Sequence, residues 1–234
     1  MMLSVVIAAY NEEKNIGELT SRLINILDSN KIPFQILYVI EGEDKTIDVL
    51  KEYCQKEKRI HFFYNPEPSG LGRAFKRGLL NIPKEATHVL TMDADLNHQP
   101  EELPLFFDAM NKTKADIVIG SRYIPGGSIN SFPYHKRIIS KFTNFFVALV
   151  TGIRIKDKTT NYRLYTRRAI DCIAQKMFFP GFECVVELLL IAVKYNFKII
   201  EVPIQFKWRI HGKSKLKIFK TGMGYLKLFW AYFL

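Results

Sequence analysis

What the chain lacks narrows it first. Its 234 residues hold three cysteines, Cys54, Cys172 and Cys184, with no Cys-x-x-Cys pair. A disulfide framework and a zinc site are therefore not expected; buried free thiols in a reducing compartment are. No run reaches the roughly 18 apolar residues of a membrane span; the longest candidates are Phe145–Val150 and Leu226–Leu234. Met1–Tyr10 carries no basic leader and breaks at Asn11-Glu12-Glu13, so no signal peptide is expected. Neither Gly-x-Ser-x-Gly nor His-Glu-x-x-His occurs, which removes the serine hydrolase and zinc protease readings. Ser69-Gly70-Leu71-Gly72-Arg73-Ala74 lacks the third glycine of a dinucleotide loop, Phe75 standing there, and no P-loop Lys follows. It reads as a tight strand-to-helix turn whose helix N-terminus, at Gly70, can face a phosphate.

Acid is also missing, and unevenly. The chain has 34 Lys+Arg against 23 Asp+Glu, a net +11, and none of those acids follows Glu201. Residues 1–120 carry 14 basic and 18 acidic side chains, a net −4; residues 121–234 carry 20 and 5, a net +15. Such asymmetry points to an anionic partner: nucleic acid, a phosphorylated substrate or an anionic membrane. With 48% apolar residues the chain can still bury an ordinary core.

The first half alternates strand and helix patterns. Strands are expected at Leu3–Ala8, Phe34–Ile40, Ile60–Tyr64, Val89–Met92 and Asp116–Gly120. Helices are expected at Glu12–Leu27, Thr46–Tyr53, Leu71–Leu80 and Pro100–Met110. Near-continuous apolar strands between helices read as a parallel α/β sheet, whose ligands sit beyond the strands' carboxyl ends. Tyr10-Asn11-Glu12, Glu41 and Asp93-Ala94-Asp95 fall there. The second half brings a basic helix through Lys136-Arg137 to about Val150, a polar loop Lys156–Asn161, a helix near Glu183–Tyr195 and a strand Ile199–Phe206. Glu183 and Glu187 belong either to the site or to its solvated rim. In the tail, Leu216, Phe219, Met223, Leu226, Phe229, Trp230 and Phe233 share one helical face, with lysines opposite. That pattern fits an interfacial membrane helix and equally a helix packed on the core; the basic stretch before it favours the membrane.

Asp93-Ala94-Asp95-Leu96-Asn97 is the sharpest local signal. Two carboxylates one residue apart, just off a strand, can share a hard divalent cation with a diphosphate, and Asn97 adds an oxygen. An EF-hand fails: His98 stands where Gly is needed and Pro104 where Glu is needed. The plainer alternative is a turn whose aspartates cap the helix at Pro100. Arg122 ends the fifth strand as a cation, and Lys136, Arg137, Arg163, Arg209 and Lys215 add phosphate-matching donors. His98 and His211 are lone histidines, read as structural or supporting.

Taken together, Ala8–Glu13, Asp93–Glu101, Gly120–Tyr123 and Arg209-x-x-Gly212-x-Ser214-Lys215-Leu216 resemble family-two glycosyltransferases, in the dolichol-phosphate mannose synthase and polyprenyl-phosphate glycosyltransferase branch. The resemblance implies a GT-A-like, Rossmann-type sandwich over residues 1–210 with a mostly parallel sheet, and a basic amphipathic membrane-interfacial tail over 211–234. It implies a nucleotide-sugar donor, Mg²⁺ or Mn²⁺, and inverting transfer to a lipid phosphate. Asp93, Asp95 and Asn97 match its metal block, Asn97 replacing the usual Gln. Ala8, Tyr10 and Glu12 match the nucleotide-binding opening, Ala8 replacing proline. Glu41, Asp44 and Thr46 match a shortened second-strand motif, with Glu41 toward the base. Gly70 and Ala94 are also assigned to the donor. Arg122, Lys136, Arg137 and Ser140 match phosphate-binding positions, and Arg209, Ser214 and Lys215 the acceptor block. Asp95, Arg122, Lys136 and Arg137 are the residues expected to act in the reaction.

Independently, a phosphate monoester is already an anion at pH 7, its second pKa being about 6, so the acceptor needs no general base. A site rich in cations suits bringing two anions together. The expectation is mannose from GDP-mannose passed to dolichyl or polyprenyl phosphate, with glucose or another hexose from a UDP donor as the alternative. The protein is expected in the cytoplasm, peripheral at the cytoplasmic face of a membrane, and whether a separate membrane subunit anchors it stays open. Two other classes compete. One is nucleic-acid binding through Phe206, Trp208 and Tyr225 among the tail lysines, disfavoured because no recognised module accompanies them. The other is a silent sugar-nucleotide-binding subunit, disfavoured by the intact Asp93 and Asp95.

Overall fold

A computed structural model describes residues 1–130, 134–209, 211–212 and 218–233; the side chains of residues 130, 134–136, 139, 218–220 and 233 lie outside that description. In chain order the elements are β1 (Leu3–Tyr10), α1 (Ile16–Ser29), β2 (Phe34–Glu41), α2 (Thr46–Lys56), β3 (Ile60–Asn65), α3 (Leu71–Leu80) and β4 (His88–Asp93). A 3-10 turn (Pro100–Glu102) precedes α4 (Leu103–Thr113), then come β5 (Ile117–Ser121), β6 (Ser128–Asn130) and α5 (Tyr134–Thr151). The chain closes with β7 (Arg163–Thr166), α6 (Arg167–Lys176), α7 (Cys184–Lys194), β8 (Ile199–Pro203), β9 (Gln205–Lys207) and α8 (Ile218–Phe233).

The main sheet runs β3-β2-β1-β4-β7-β5-β8, parallel except for β7. Alternation along β1 sends Leu3, Val5 and Ile7 into one apolar layer and Val6 into the other. The first layer is filled by α1 residues such as Leu19 and Leu23 and α4 residues such as Phe106; the second by Phe75 of α3, Ile170 of α6 and Leu188 of α7. Both faces are covered, which is why these strands read as apolar runs.

Two expectations change, and two elements went unread. Ile199–Phe206 is not one strand: β8 ends at Pro203, Ile204 N–H bonds Ser121 O at 3.1 Å, and β9 pairs with β6 in a separate two-stranded sheet. β7 and α6 were not legible, because Arg163 interrupts the apolar run. Its guanidinium is buried, Nη1 donating to the carbonyl of Val185 (2.8 Å) and Nη2 to that of Lys158 (2.9 Å). Of the cysteines only Cys184 is buried; Cys54 and Cys172 are half-buried.

The tail helix divides its apolar residues. Leu228 and Phe229 are buried, Phe229 lying 5.9 Å from the ring of Phe146 on α5, whereas Met223, Leu226 and Trp230 are exposed. Leu216 lies outside the described residues, and nothing is described of the side chains of Phe219 and Phe233. No helix among the described residues is long and apolar enough to cross a membrane.

Candidate active site

Four parallel strands end at one edge. β1 leads into Asn11-Glu12, β2 ends at Glu41, β4 at Asp93 and β5 at Ser121, just before Arg122. The connections reverse direction between β1 and β4, and at such a switch point an open sheet has its crevice.

On the β1–β2 side the turns are tied together. Glu12 is buried, its N–H on Thr46 Oγ1 at 2.8 Å and its Oε2 accepting from Asn15 Nδ2 at 2.6 Å. Asp44 accepts from Glu13 N–H (3.1 Å) and Thr46 N–H (3.0 Å). Tyr10 is exposed and Ala8 half-buried, paired with Val39 and Asp93. Glu41 is buried; its carboxylate accepts from Ser69 Oγ and, at 3.4 Å, from Gly70 N–H, so it holds the loop that opens α3. Gly70 is required there: its φ is +105°, and a Cβ would meet Pro180 O at 2.5 Å.

Beyond β4, Leu96 adopts φ +61°, a left-handed conformation that costs a branched side chain about 1 kcal/mol. The turn folds Asn97 back on Asp95: its N–H and Nδ2 donate to the carboxylate at 3.1 and 2.9 Å. Ala94 is buried beneath, and Lys207 N–H of β9 bonds Asn97 O at 3.1 Å. His98, 1% exposed, lies against Tyr162 with ring centroids 5.0 Å apart and accepts from Asp93 N–H at 3.4 Å. Burial holds its imidazole down at about 4, so it is neutral at pH 7 and braces the turn.

Burial pushes both aspartates up, Asp95 to about 6 with Asp93 adding its repulsion. Asn161 and Arg209 oppose the shift at Asp93, and Arg209 opposes it at Asp95. Two acids that resist ionising together favour a cation. No group of three or more His, Cys, Asp or Glu that could hold a metal occurs among the described residues. A divalent ion here would complete its shell with neutral oxygens, water and diphosphate, a set that Mg²⁺ accepts readily. Oxygens of that kind are present: Asn97 Oδ1 and Asn161 Oδ1 are buried and have no hydrogen-bond partner. The residues fit the ion that the resemblance implies.

Opposite stands Arg122. Its Nε and Nη2 grip Asp157 at 2.6 and 2.8 Å, and Nη2 also donates to Thr159 Oγ1 at 2.8 Å. Burial alone would raise the Asp157 carboxyl, but Arg122 outweighs it and leaves it below the ordinary value. Asp157 and Lys156 donate their own N–H groups to Glu201 at 2.9 and 2.8 Å. Ser140 shares a 2.8 Å hydrogen bond with Tyr123 OH, and Arg137 is exposed on α5. Arg209 reaches across from beyond β9 to Asp95, Nη2 to Oδ2 2.5 Å. The structure therefore brings Asp93, Asp95, Asn97 and Arg209 together. The side chain of Lys136, and Ser214 and Lys215 altogether, lie outside the described residues.

Glu183 and Glu187 are not a solvated rim. Both are buried, Glu187 accepting from Phe178 N–H (2.8 Å) and Phe179 N–H (3.1 Å), Glu183 from Gly181 N–H (3.0 Å). They brace the turn whose Pro180 O receives Gly72 N–H at 2.8 Å, and so hold the Gly70 loop at second hand. Sequence reasoning missed Asp157, Thr159, Asn161 and Glu201. The signals available were the polarity of Lys156–Asn161 and the place of Glu201 as the last acid.

The sequence pattern of Glycosyl transferase family 2 matches residues 4–174. The chain is 32% identical over 216 residues to a polyprenol monophosphomannose synthase of Mycolicibacterium smegmatis, covering 91% of this chain and 80% of that one. It is 34% identical over 232 residues to a dolichol-phosphate mannosyltransferase of Pyrococcus furiosus, covering 97% of this chain but 62% of that longer protein. Among solved structures, glucosyl-3-phosphoglycerate synthase from Mycobacterium tuberculosis, in complex with Mn²⁺, UDP and phosphoglyceric acid, superposes with a TM-score of 0.71 at 16% identity, over 96% of this chain and 75% of that one. S. aureus TarS with UDP-GlcNAc gives 0.63 at 18% identity, over 93% and 62%. These likenesses bear out the GT-A-like fold.

Proposed function

Because the chain belongs to glycosyl transferase family 2 and is a glycosyltransferase, we propose that it transfers a hexose, mannose from GDP-mannose in the first instance, to a polyprenyl or dolichyl phosphate with inversion. The names of the two relatives support the acceptor class. The observation that carries the reading is the 2.5 Å contact of Arg209 with Asp95, which sets the cation that the resemblance gives to the acceptor beside the carboxylates that it gives to the donor's metal.

The chemistry follows from the charges. Asp93 and Asp95, with the Asn97 amide, would hold Mg²⁺ or Mn²⁺, which when bound neutralises the departing diphosphate. Arg122, fixed by Asp157 and Thr159, contributes a positioned positive charge whose field reaches Asp93. Arg209, with Arg137 and Lys136, attracts the acceptor phosphate, which attacks the anomeric carbon without a base because it is ionised at pH 7. Glu12 and Asp44 shape the nucleotide end through the turns they tie, and Glu41 through the Gly70 loop.

A membrane surface completes the reading. On α5, Ile138, Phe142, Phe145 and Leu149 recur at helical spacing and are 50–70% exposed. Met223, Leu226 and Trp230 are exposed on the adjoining α8, while Arg137 and Lys141 stand beside the α5 stripe. An apolar stripe edged with cations suits an anionic bilayer, where each cation adds about 1 kcal/mol. The tail from 211 onward then acts as an interfacial element together with α5.

Labelled GDP-mannose and UDP-glucose, each incubated with polyprenyl phosphate and Mg²⁺ or EDTA, test the proposal. Organic-phase label from GDP-mannose that EDTA abolishes is expected. Label from UDP-glucose alone would replace the donor, and label from neither would refute the reading.

A further inference from the structure

An antiparallel strand in a parallel sheet brings its beginning, not its end, to the edge where ligands bind. β7 is such a strand, and Asn161 lies two residues before it. Its register with β4 pairs His88 with Thr166 and Thr91 with Arg163. Continued by two residues, that register sets Asn161 opposite Asp93. Bonds to two main-chain carbonyls fix the position from both sides: Asn161 O accepts from the Thr91 hydroxyl at 2.8 Å, and Tyr162 O accepts from Gly120 N–H at 2.9 Å.

Asn161 is 2% exposed. Its Nδ2 donates to Asp93 Oδ1 at 3.3 Å, and its Oδ1 has no hydrogen-bond partner. Asn97 Oδ1 is in the same condition beside Asp95. A buried acceptor left unmatched costs roughly 1–3 kcal/mol. Two such amide oxygens, one beside each aspartate, are what a hard cation between the aspartates would recruit.

We propose that Asn161 is a fourth metal-site residue, its amide oxygen ligating the divalent ion that Asp93 and Asp95 hold; this rests on the metal reading of the site. Asn161 gives the ion a neutral ligand from the second half of the chain, so metal binding links β4 to β7. The pairing with Asp93 holds the amide in place before the ion arrives, and ligation relieves the unmatched oxygen.

The test is Mn²⁺ binding followed by EPR, alone and with saturating GDP or UDP, alongside the rise in melting temperature that Mn²⁺ produces. Removing even a group that orients a metal ligand costs about 10–100-fold in affinity, and removing a ligand costs at least as much. Asn161→Ala is expected to weaken Mn²⁺ at least tenfold and to shrink the thermal shift in proportion. Asn161→Asp keeps an oxygen ligand and is expected to hold Mn²⁺ at least as tightly as the wild type, with a larger thermal shift. If Asn161 only steadied Asp93 through its N–H, Asn161→Asp would lose affinity as Asn161→Ala does, and that result would overturn the assignment. So would wild-type affinity in a folded Asn161→Ala. A wild-type protein that binds no Mn²⁺ under any of these conditions would sink the metal reading itself and the inference with it.

Discussion

The two halves of the chain solve opposite problems. Residues 1–120 carry a net −4 and fold as close alternation of strand and helix, with few large apolar side chains left in solvent. Residues 121–234 carry a net +15 and leave Phe142, Phe145, Leu149, Phe178 and Trp230 at least 64% exposed. A half built only to be stable would not combine that charge with that much uncovered apolar surface. In the function proposed above, the acidic half would cradle the donor, and the basic half would supply cations and a surface for a bilayer-borne acceptor. Among the described residues they meet at two ion pairs, Arg209–Asp95 and Arg168–Asp116.

Cutting the donor side should have the largest effect. Asp95→Asn is expected to lower transfer a hundredfold or more, measured as turnover at saturating donor, because a charged contact to the leaving group's ion is lost. Near-normal turnover would break the division of labour. Asp157→Asn leaves Arg122 buried without its counter-charge, at a cost of about 3–5 kcal/mol. In a chain of this size that lowers the melting temperature by roughly 10 °C. Gly70→Ala forces a left-handed backbone and a clash with Pro180 O, so a loss of about 2 kcal/mol in urea unfolding is expected.

The smallest effect sharpens the contact between the halves. Glu102 accepts from Gln205 N–H at 2.6 Å, and burial pushes its carboxyl up to about 7. The folded protein keeps that proton to higher pH than the unfolded chain, so this group's stabilisation is full at low pH and is lost as pH rises toward 7. Glu102→Gln should flatten that slope and be more stable than the wild type at pH 8 by about 1 kcal/mol, after allowance for solvent screening. A pH-independent difference in melting temperature would count against it.

The first half was legible because its strands are nearly continuous apolar runs and its turns carry Gly, Pro and Asn where they are needed. Leu71–Leu80 was placed to the residue. The second half was not, because its key strand contains a buried arginine and one expected strand is cut at Pro203. Asp93, Asp95 and Arg122 could be read as candidates because they stand at strand ends. Asn161 could not, since only the reversal of β7 carries it to that edge. Burial is likewise what takes Glu183 and Glu187 off the solvated rim and sets them as braces of the Pro180 turn.

The most direct measurement compares the wild type with Phe142→Asp/Phe145→Asp on two acceptors: long-chain polyprenyl phosphate in anionic vesicles and a short, water-soluble prenyl phosphate. The account predicts that the variant loses tenfold or more on vesicles and stays within about twofold on the soluble acceptor, since each exposed phenylalanine inserted adds roughly 1.5–3 kcal/mol. Equal activity of the two proteins on vesicles, or equal losses on both acceptors, would contradict it.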